Sequence, residues 1–281
     1  MIIPRKHKDI IFRLLALLFL LAAVAMLFFL LFSVISEGLG RLNWQILTSY
    51  SSRKAAEAGI LPGIVGSILM VLLTMILALP IGVAAAIYLE EYSTKNRFSR
   101  ILELNIANLA GVPSIVYGLL GLGLFVRTFE LGRSLLAGSL TMSLLVMPMI
   151  IIATREAIKM VPYTLREASY AVGATKWETI SQQVIPVAFP NILTGVILAV
   201  SRAIGETAPL ITIGALTYVT FLPDGLLSQF TIMPIQIFNW ISRPQEAFHL
   251  NAAAGIIILL LITLSLNALA IILRNKYSKK L

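Results

Sequence analysis

Two opposite charges, Arg202 and Glu206, lie four residues apart in the otherwise nearly apolar stretch 199–216. Residues at this spacing share one face of an α-helix, so the sequence predicts that the two side chains meet. A guanidinium presents a planar fork of N–H donors that matches the oxygens of phosphate or sulfate. A nearby carboxylate would pair with that guanidinium while no anion is bound, or accept a hydrogen bond from a protonated oxyanion. These residue types therefore indicate the recognition of an oxyanion.

The composition predicts that this pair lies inside a membrane. Hydrophobic residues make up 58% of the chain and charged residues only 12%, whereas soluble domains carry about 25% charged residues. A central Arg costs about 2.5–3.5 kcal/mol on membrane-insertion scales, so its helix face must point to protein or water. One interpretation is an ion pair that locks helices together, and the other is a transport path. The path is favoured, because apolar replacement of a buried ion pair is often neutral or stabilising.

Six apolar runs are long enough to cross a bilayer, which takes about 20 helical residues. The runs are 14–35, 60–89, 104–126, 134–154, 187–216 and 250–273. They show no strand-like alternation, so the sequence predicts an all-α integral membrane protein with six transmembrane helices. Its expected parts are an N-terminal tail with the first helix and an outer loop (1–59), a membrane domain (60–274) and a C-terminal tail (275–281).

The distribution of Lys and Arg predicts the orientation of the chain. Most of these residues fall in segments on the same side as the N-terminus, which is typical of cytoplasmic segments, so both termini are expected in the cytoplasm. The net charge of +9 is also found in nucleic-acid-binding proteins. Here the charges are scattered over loops, so no nucleic-acid partner is expected. The chain has no cysteine, which excludes disulfides and thiolate chemistry.

The segment 155–190, expected in the cytoplasm, has the pattern of two short helices. Pro162 should end a first helix, and Thr164 with Glu167 should form a capping box that begins a new one. Gly173 should end that helix, and a second amphipathic helix should follow before Pro186. An ordinary connecting loop is the alternative, but two defined helices favour a docking element.

This segment resembles the EAA loop of ABC importer permeases. The resemblance is carried by Glu167-Ala-Ser-x3-Gly173, followed after eleven residues by Ile185-Pro186, with two departures: Ser169 replaces the second Ala, and Gln183 stands where an apolar residue is common. It implies a type I, MetI-like permease whose coupling helix docks on an ATPase. The implied docking residues are Arg166, Glu167, Ala168, Ser169 and Gly173. Independently, no phosphate-binding G-x-x-x-x-G-K-[ST] loop occurs, so this chain is expected to bind no cofactor and ATP and Mg are expected on the partner ATPase.

The third apolar run contains the stretch Gly111-Val-Pro-Ser-Ile-Val-Tyr-Gly118, with Asn105 and Asn108 just before it. Its small residues are typical of close packing between helices. The same residues would also suit a bend that lines a pore and presents Ser114 and the two amides. The sequence leaves both interpretations open.

Three stretches together, 111–118, 201–210 and 233–248, resemble the PstA-type branch of the family, from the bacterial phosphate-specific importer. The resemblance implies a subunit of the bacterial inner membrane that moves inorganic phosphate by alternating access. The implied partners are a PstC-type sister permease, a PstB-type ATPase dimer and a PstS-type phosphate-binding protein. The expected substrate path consists of Arg202, Glu206, Thr207, Ser114 and Asn108.

Other functions have weaker support in the sequence. A permease for sulfate, molybdate or phosphonate would also use an Arg–Glu pair, and competition for uptake separates these cases. The sequence lacks the catalytic residues of an intramembrane enzyme, because both histidines, His7 and His249, fall outside the spans and Glu206 is the sole acid within one. For the same reason no catalytic residue and no metal site are expected. A structural scaffold is the remaining alternative, which a lack of substrate-stimulated ATPase activity would favour.

Overall fold

A computed structural model describes residues 5–94, 96–215 and 218–278, and these residues form helices and connecting segments without strands. The helices are α1 (Arg5–Gly38), α2 (Trp44–Thr48), α3 (Leu61–Ile87), α4 (Arg97–Ala110), α5 (Ser114–Gly121), α6 (Leu135–Lys159), α7 (Tyr163–Ala171), α8 (Lys176–Thr179), α9 (Ile185–Gly205), α10 (Ala208–Ile213), α11 (Met233–Ile241) and α12 (Glu246–Ser278). Lys95, Lys279 and Lys280, which contributed to the predicted orientation, and Leu216, the expected end of the fifth span, lie outside the described residues.

Five helical segments of the described chain are long and apolar enough to cross a membrane, and α4 with α5 supply a sixth if that bent pair counts as one. Three segments continue through π-helical turns: α3 through Tyr88–Tyr92, α5 through Leu122–Thr128, and α8 into α9 through Ile180–Val184. The expected amphipathic helix before Pro186 is therefore continuous with the fifth span. The all-α prediction with six spans is confirmed.

The centre of the bundle is formed by α3, α6 and α9, with α10 beside them. Their apolar side chains meet in one buried cluster, which includes Met70, Met142, Ile150, Ala199 and Leu210, together with Phe230 from the segment before α11. Buried hydroxyls add bonds between α3 and α6: Ser143 Oγ donates to the carbonyl of Thr74 (3.2 Å), and Ser139 Oγ to that of Met70 (3.4 Å). Small polar residues of this kind let membrane helices approach closely and bond directly.

The first helix lies against α12 and leaves most of its apolar side chains exposed. The two helices are joined where α1 ends and α12 begins, because Arg41 Nε donates to Asn251 Oδ1 (2.6 Å). Arg41 Nη2 also donates to the carbonyl of Ala55, in the segment before α3 (2.9 Å). Below, the end of the bundle at which α1 begins is called the N-terminal end. Since the spans alternate in direction, α3 and α6 end at the N-terminal end and α9 begins there.

The third span, predicted over 104–126, is bent. The axes of the two parts differ by 99° across a break between α4 and α5. Gly111 ends α4, and Pro113 adopts an extended conformation (ψ 135°) before α5. Proline lacks the amide hydrogen that a continuous helix would need, which explains the break. The Tyr117 hydroxyl of α5 donates to the carbonyl of Leu109 of α4 (2.8 Å), so this hydrogen bond spans the break.

The two glycines of this stretch have different roles. A Cβ at Gly118 would lie 2.7 Å from Pro209 Cα and 2.8 Å from Thr212 Cβ, so this glycine permits close packing of α5 on α10. A Cβ at Gly111 would approach only the carbonyl oxygen of Asn108, at 3.4 Å. Close packing therefore occurs at one end of the stretch and a bend at the other.

Replacing Gly118 by Ala should destabilise the protein by about 1–3 kcal/mol, because the new methyl group overlaps backbone that cannot move aside cheaply. Unfolding of the detergent-solubilised protein by heat or denaturant measures the effect. Gly123→Ala is the matched control, since a Cβ there meets nothing within 4 Å. Equal stability of the two variants would contradict the close packing of α5 on α10.

Candidate functional site

The helix that carries Arg202 ends three residues later, at Gly205. Glu206 is extended (φ −79°, ψ 128°), and a new helix begins at Ala208. Pro209 has no amide hydrogen for the carbonyl of Gly205, and this carbonyl instead accepts a hydrogen bond from Thr207 Oγ1 (3.4 Å). The predicted continuous span over 187–216 is therefore wrong beyond Gly205, and the break lies within the candidate site.

This break separates the two charges that the sequence places together. Since Glu206 is outside the helix, it does not share a helical face with Arg202, and the ion pairs among the described residues do not include these two. The Arg202 side chain is exposed, and Glu206 and Thr207 are half-buried. Mutual neutralisation is thus not the arrangement in this chain, and the guanidinium is free to face a partner or water.

The neighbours of Arg202 include one residue that the sequence analysis did not single out. Tyr117 of α5 is buried and lies close enough to Arg202 for an electrostatic interaction. Ser114 lies one turn earlier on α5 and is half-buried, whereas Asn108 is exposed on α4, beyond the bend. The structure thus groups Arg202, Glu206 and Thr207 beside α5 and separates Asn108 from them by the break in the third span. The signal for Tyr117 was its position inside the stretch 111–118.

The second candidate site is the segment between α6 and α9 at the N-terminal end. Its helix α7 begins at Tyr163, with Pro162 at the N-cap position, so the capping box predicted at Thr164 and Glu167 is wrong. A capping box occurs one helix later, where Glu178 N donates to Thr175 Oγ1 (3.3 Å) and Thr175 N to Glu178 Oε2 (2.7 Å). Proline suits the start of a helix because it needs no amide bond there, which explains the earlier beginning of α7.

The predicted end of α7 at a glycine is confirmed. Gly173 has a φ of +87°, the left-handed conformation that favours glycine. The amide of Gly173 donates to the carbonyl of Tyr170 (2.9 Å), and that of Ala174 to the carbonyl of Ser169 (3.2 Å), so the last carbonyls of the helix are satisfied.

The outward side of this segment combines small and apolar side chains. Glu167 and Ala168 are exposed, and Ser169 is half-buried with its Oγ 2.9 Å from Thr179 Oγ1. Large apolar side chains are exposed around them. The α7 face is defined here as Tyr163, Glu167, Ala168, Val172 and Trp177. Exposed apolar patches on a segment outside the spans are typical of protein–protein contact.

Arg166, expected among the docking residues, points inward. Its side chain is buried, and its Nη2 lies 2.6 Å from Glu91 Oε1 at the end of α3. Its Nη1 donates to the carbonyl of Val161 (2.9 Å) and its Nη2 to that of Ile158 (3.3 Å). Arg166 therefore connects α7 to two spans and is not part of the α7 face. Sequence reasoning missed Glu91, because a partner 75 positions away leaves no local pattern.

The described residues contain no group of three or more His, Asp or Glu side chains that could hold a metal ion. The two candidate sites are the exposed Arg202 in the last turn of α9 and the α7 face at the N-terminal end.

Comparison with known proteins identifies the family of the chain. Residues 78–280 match the family described as "Binding-protein-dependent transport system inner membrane component". The chain belongs to this family.

Relatives within the family are similar over most of the chain. "Phosphate transport system permease protein PstA" of Yersinia pestis is 32% identical over 271 residues, 95% of this chain and 90% of the relative. "Phosphate transport system permease protein PstA 1" of Mycobacterium tuberculosis (strain ATCC 25618 / H37Rv) is 33% identical over 216 residues, 77% of this chain and 70% of the relative.

Solved structures support the fold of the family. A chain of a bacterial alginate ABC transporter, solved with an alginate-bound periplasmic protein, matches with a TM-score of 0.67 at 14% identity, covering 98% of this chain and 99% of that one. A chain of the MetNI methionine transporter matches with a TM-score of 0.60 at 15% identity, covering 75% and 91%. The predicted MetI-like type I permease architecture is confirmed, and the chain is a membrane component rather than the ATPase.

Replacing Gly173 by Ala should weaken the end of α7 in this permease. A side chain costs about 1–2 kcal/mol in the left-handed region, so exchange of the Ala174 amide should accelerate by about 5–30-fold. Hydrogen exchange measured by mass spectrometry reports the change. Gly40→Ala, at a glycine without positive φ and with open space around it, is the control. Unchanged exchange at Ala174 would contradict the role of Gly173 in ending the helix.

Proposed function

We propose that this chain is a membrane-spanning subunit of an ATP-driven importer that moves inorganic phosphate across the bacterial inner membrane. The observation that carries the proposal is the exposed Arg202 guanidinium, without an acidic partner among the described residues, in the last turn of the fifth span. Lipid is a costly environment for such a group, so it must face water or a neighbouring subunit. The names of the PstA relatives support phosphate as the anion that passes there.

The proposed path lies between α5, α9 and α10 of this chain and the matching surface of a PstC-type sister permease. Arg202 offers its fork to the phosphate oxygens, and Glu206, Thr207 and Ser114 border the same region. One guanidinium does not neutralise a doubly charged phosphate, so the sister subunit should contribute further positive charge. Binding in the path should be weak, because an anion held too tightly would not leave. Asn108 lies beyond the bend, so it is not expected to contact the anion at the same time as Arg202.

The N-terminal end of the bundle is proposed to face the cytoplasm, with both termini there. The α7 face would then dock on a PstB-type ATPase dimer, which holds ATP and Mg. A PstS-type binding protein would deliver phosphate at the opposite end, where the segment 218–249 lies. The alginate transporter with its periplasmic protein shows that a permease of this fold can be solved together with such a partner.

Replacing Arg202 by Gln should abolish phosphate uptake by the complete transporter in proteoliposomes while the complex still assembles. The amide keeps hydrogen-bond donors but removes the charge that attracts the anion. Arg202→Lys should retain part of the uptake, since it keeps the charge but loses the fork. Arg127→Gln, which removes an exposed Arg at the end of the third span, is the control and should transport normally. Normal uptake by the Arg202→Gln protein would rule out a role for this residue in the path.

The same assay separates phosphate from other oxyanions. Excess sulfate, molybdate or phosphonate should leave uptake of labelled phosphate unchanged. Strong competition by one of them, with weak competition by unlabelled phosphate, would favour the alternative substrate.

Replacing Ala168 by Arg should prevent the permease from co-purifying with its ATPase. A small side chain in the centre of the α7 face permits close approach of a partner, and a long charged one would not. Ala56→Arg, at an exposed position near the opposite end of the bundle, is the control and should leave the complex intact. An Ala168→Arg complex that assembles and hydrolyses ATP normally would show that the ATPase docks elsewhere.

A further inference from the structure

Three consecutive residues at the end of α3 are each held by a cation from the segment that contains α7. Arg155 Nη2 lies 3.4 Å from Glu90 Oε2, Arg166 Nη2 lies 2.6 Å from Glu91 Oε1, and Lys176 Nζ lies 4.8 Å from the centre of the Tyr92 ring. This arrangement is called the cation clasp below. Its members are Glu90, Glu91 and Tyr92 of the π-helical turn, and Arg155, Arg166 and Lys176 of the segment around α7.

The clasp surrounds the end of α3. Three consecutive side chains of a helical turn point in different directions, so their partners approach the end of α3 from different sides. Their partners come from α6, α7 and α8, in chain order. The segment 155–176 is therefore wrapped around the end of α3, and α7 cannot rotate or shift about that end without breaking one of the three contacts.

The pair of Arg166 and Glu91 is the strongest member of the clasp. Only 10% of the Arg166 side chain and 8% of the Glu91 side chain are exposed. Arg166 Nε also donates to Glu91 Oε1 (3.2 Å), and its other donors reach carbonyls at the end of α6. Separating a buried pair of this kind leaves an unpaired buried charge, which is strongly unfavourable. The two side chains therefore should move as one unit.

Apolar packing reinforces the same connection. Leu165 of α7 packs against a buried cluster that contains Ile158 of α6, Val161 just after it, and Val184 before α9. Val83 and Ile87 of α3 pack on that cluster too. One side of α7 thus rests on three spans, and its other side carries the α7 face.

The clasp has a second connection, to the bent third span. Arg155 Nη2 lies 2.8 Å from Glu103 Oε1 of α4, so one guanidinium joins α6, the end of α3 and α4. Beyond the bend, α5 carries Tyr117, which lies within electrostatic range of Arg202. A displacement of α7 would thus reach the wall of the proposed path through α3 and through α4 and α5.

We propose that the cation clasp transmits the movement of α7 into the spans, with Glu91 and Arg166 as the positioning residues of this transmission. The proposal rests on the proposed docking of α7 on an ATPase, and it adds the element that receives the motion. Its consequence is specific: weakening the clasp should uncouple ATP hydrolysis from transport without preventing assembly.

The test measures ATP hydrolysis by the complete transporter with and without phosphate-loaded binding protein, together with phosphate uptake. Glu91→Gln should leave co-purification of the ATPase and basal hydrolysis unchanged, and should lower the stimulation by loaded binding protein by about tenfold or more, a typical size for coupling between sites. Glu156→Gln is the matched control. It breaks the exposed Lys159–Glu156 pair near the same end of α6 and should leave stimulation unchanged.

Two milder variants keep the test decisive if Glu91→Gln does not fold. Arg166→Lys keeps the charge opposite Glu91 but loses the planar set of N–H donors of the guanidinium. Tyr92→Leu removes the ring under Lys176 at a position that is 42% exposed. Both should assemble and show a smaller but measurable loss of stimulation. Full stimulation in both variants would overturn the proposal, whatever Glu91→Gln does.

Cross-linking tests whether α7 and α3 move together. The chain has no cysteine, so Glu91→Cys with Arg166→Cys provides the only two thiols of the subunit. An Arg–Glu pair reaches farther than a disulfide, whose Cα atoms lie about 4.4–6.8 Å apart, so a bifunctional thiol reagent with a flexible spacer is used. The uncross-linked protein should be uncoupled, and cross-linking should restore stimulation and uptake. Cross-linked transporters that remain uncoupled would overturn the proposal.

The docking and transmission proposals fail in different ways. If Ala168→Arg loses the ATPase while the clasp variants keep full stimulation, docking stands and transmission through the clasp is wrong. If Ala168→Arg keeps the ATPase, the docking of α7 is wrong.

Discussion

A guanidinium within a bilayer must have a partner or water, and the fold around Arg202 depends on that constraint. The helix that carries Arg202 ends at Gly205, and the extended Glu206 leaves its helical face. A continuous helix would instead have placed the two side chains side by side, where they would neutralise each other. The break between α9 and α10 thus leaves positive charge on the surface of the subunit. That charge is what an anion path at a subunit interface needs.

Two arginines of the chain have opposite environments. Arg202 is exposed, and no acidic residue within the described chain pairs with it, whereas Arg166 is buried and bonded to a carboxylate and two carbonyls. A fully bonded guanidinium has little remaining attraction for a ligand and instead fixes the position of the helix that carries it. A guanidinium without such bonds remains available to an anion. Residue type alone does not distinguish these two roles; partners and burial do.

Much of the fold was predictable, because the contrast between apolar spans and charged loops is a local property of the sequence. The six spans and the glycine that ends α7 belong to this part. The bend at Pro113 and the end of α9 at Gly205 were not, because Gly and Pro in an apolar run suit both close packing and a break. The contact between Glu91 and Arg166 joins residues 75 positions apart, and only the packing of α7 on the ends of α3 and α6 brings them together.

The bend in the third span has a mechanical consequence. At its far side, Gly118 lets α5 pack closely on Pro209, so α5 and α10 should move as one body. At its near side, α4 is held to α6 by the pair of Glu103 and Arg155. Gly111 lies between these two contacts, and a Cβ there would approach only the carbonyl oxygen of Asn108, so packing constrains this backbone little. Motion imposed at the N-terminal end would therefore concentrate at this joint, and would change the angle of the wall beside Arg202 rather than compress the bundle.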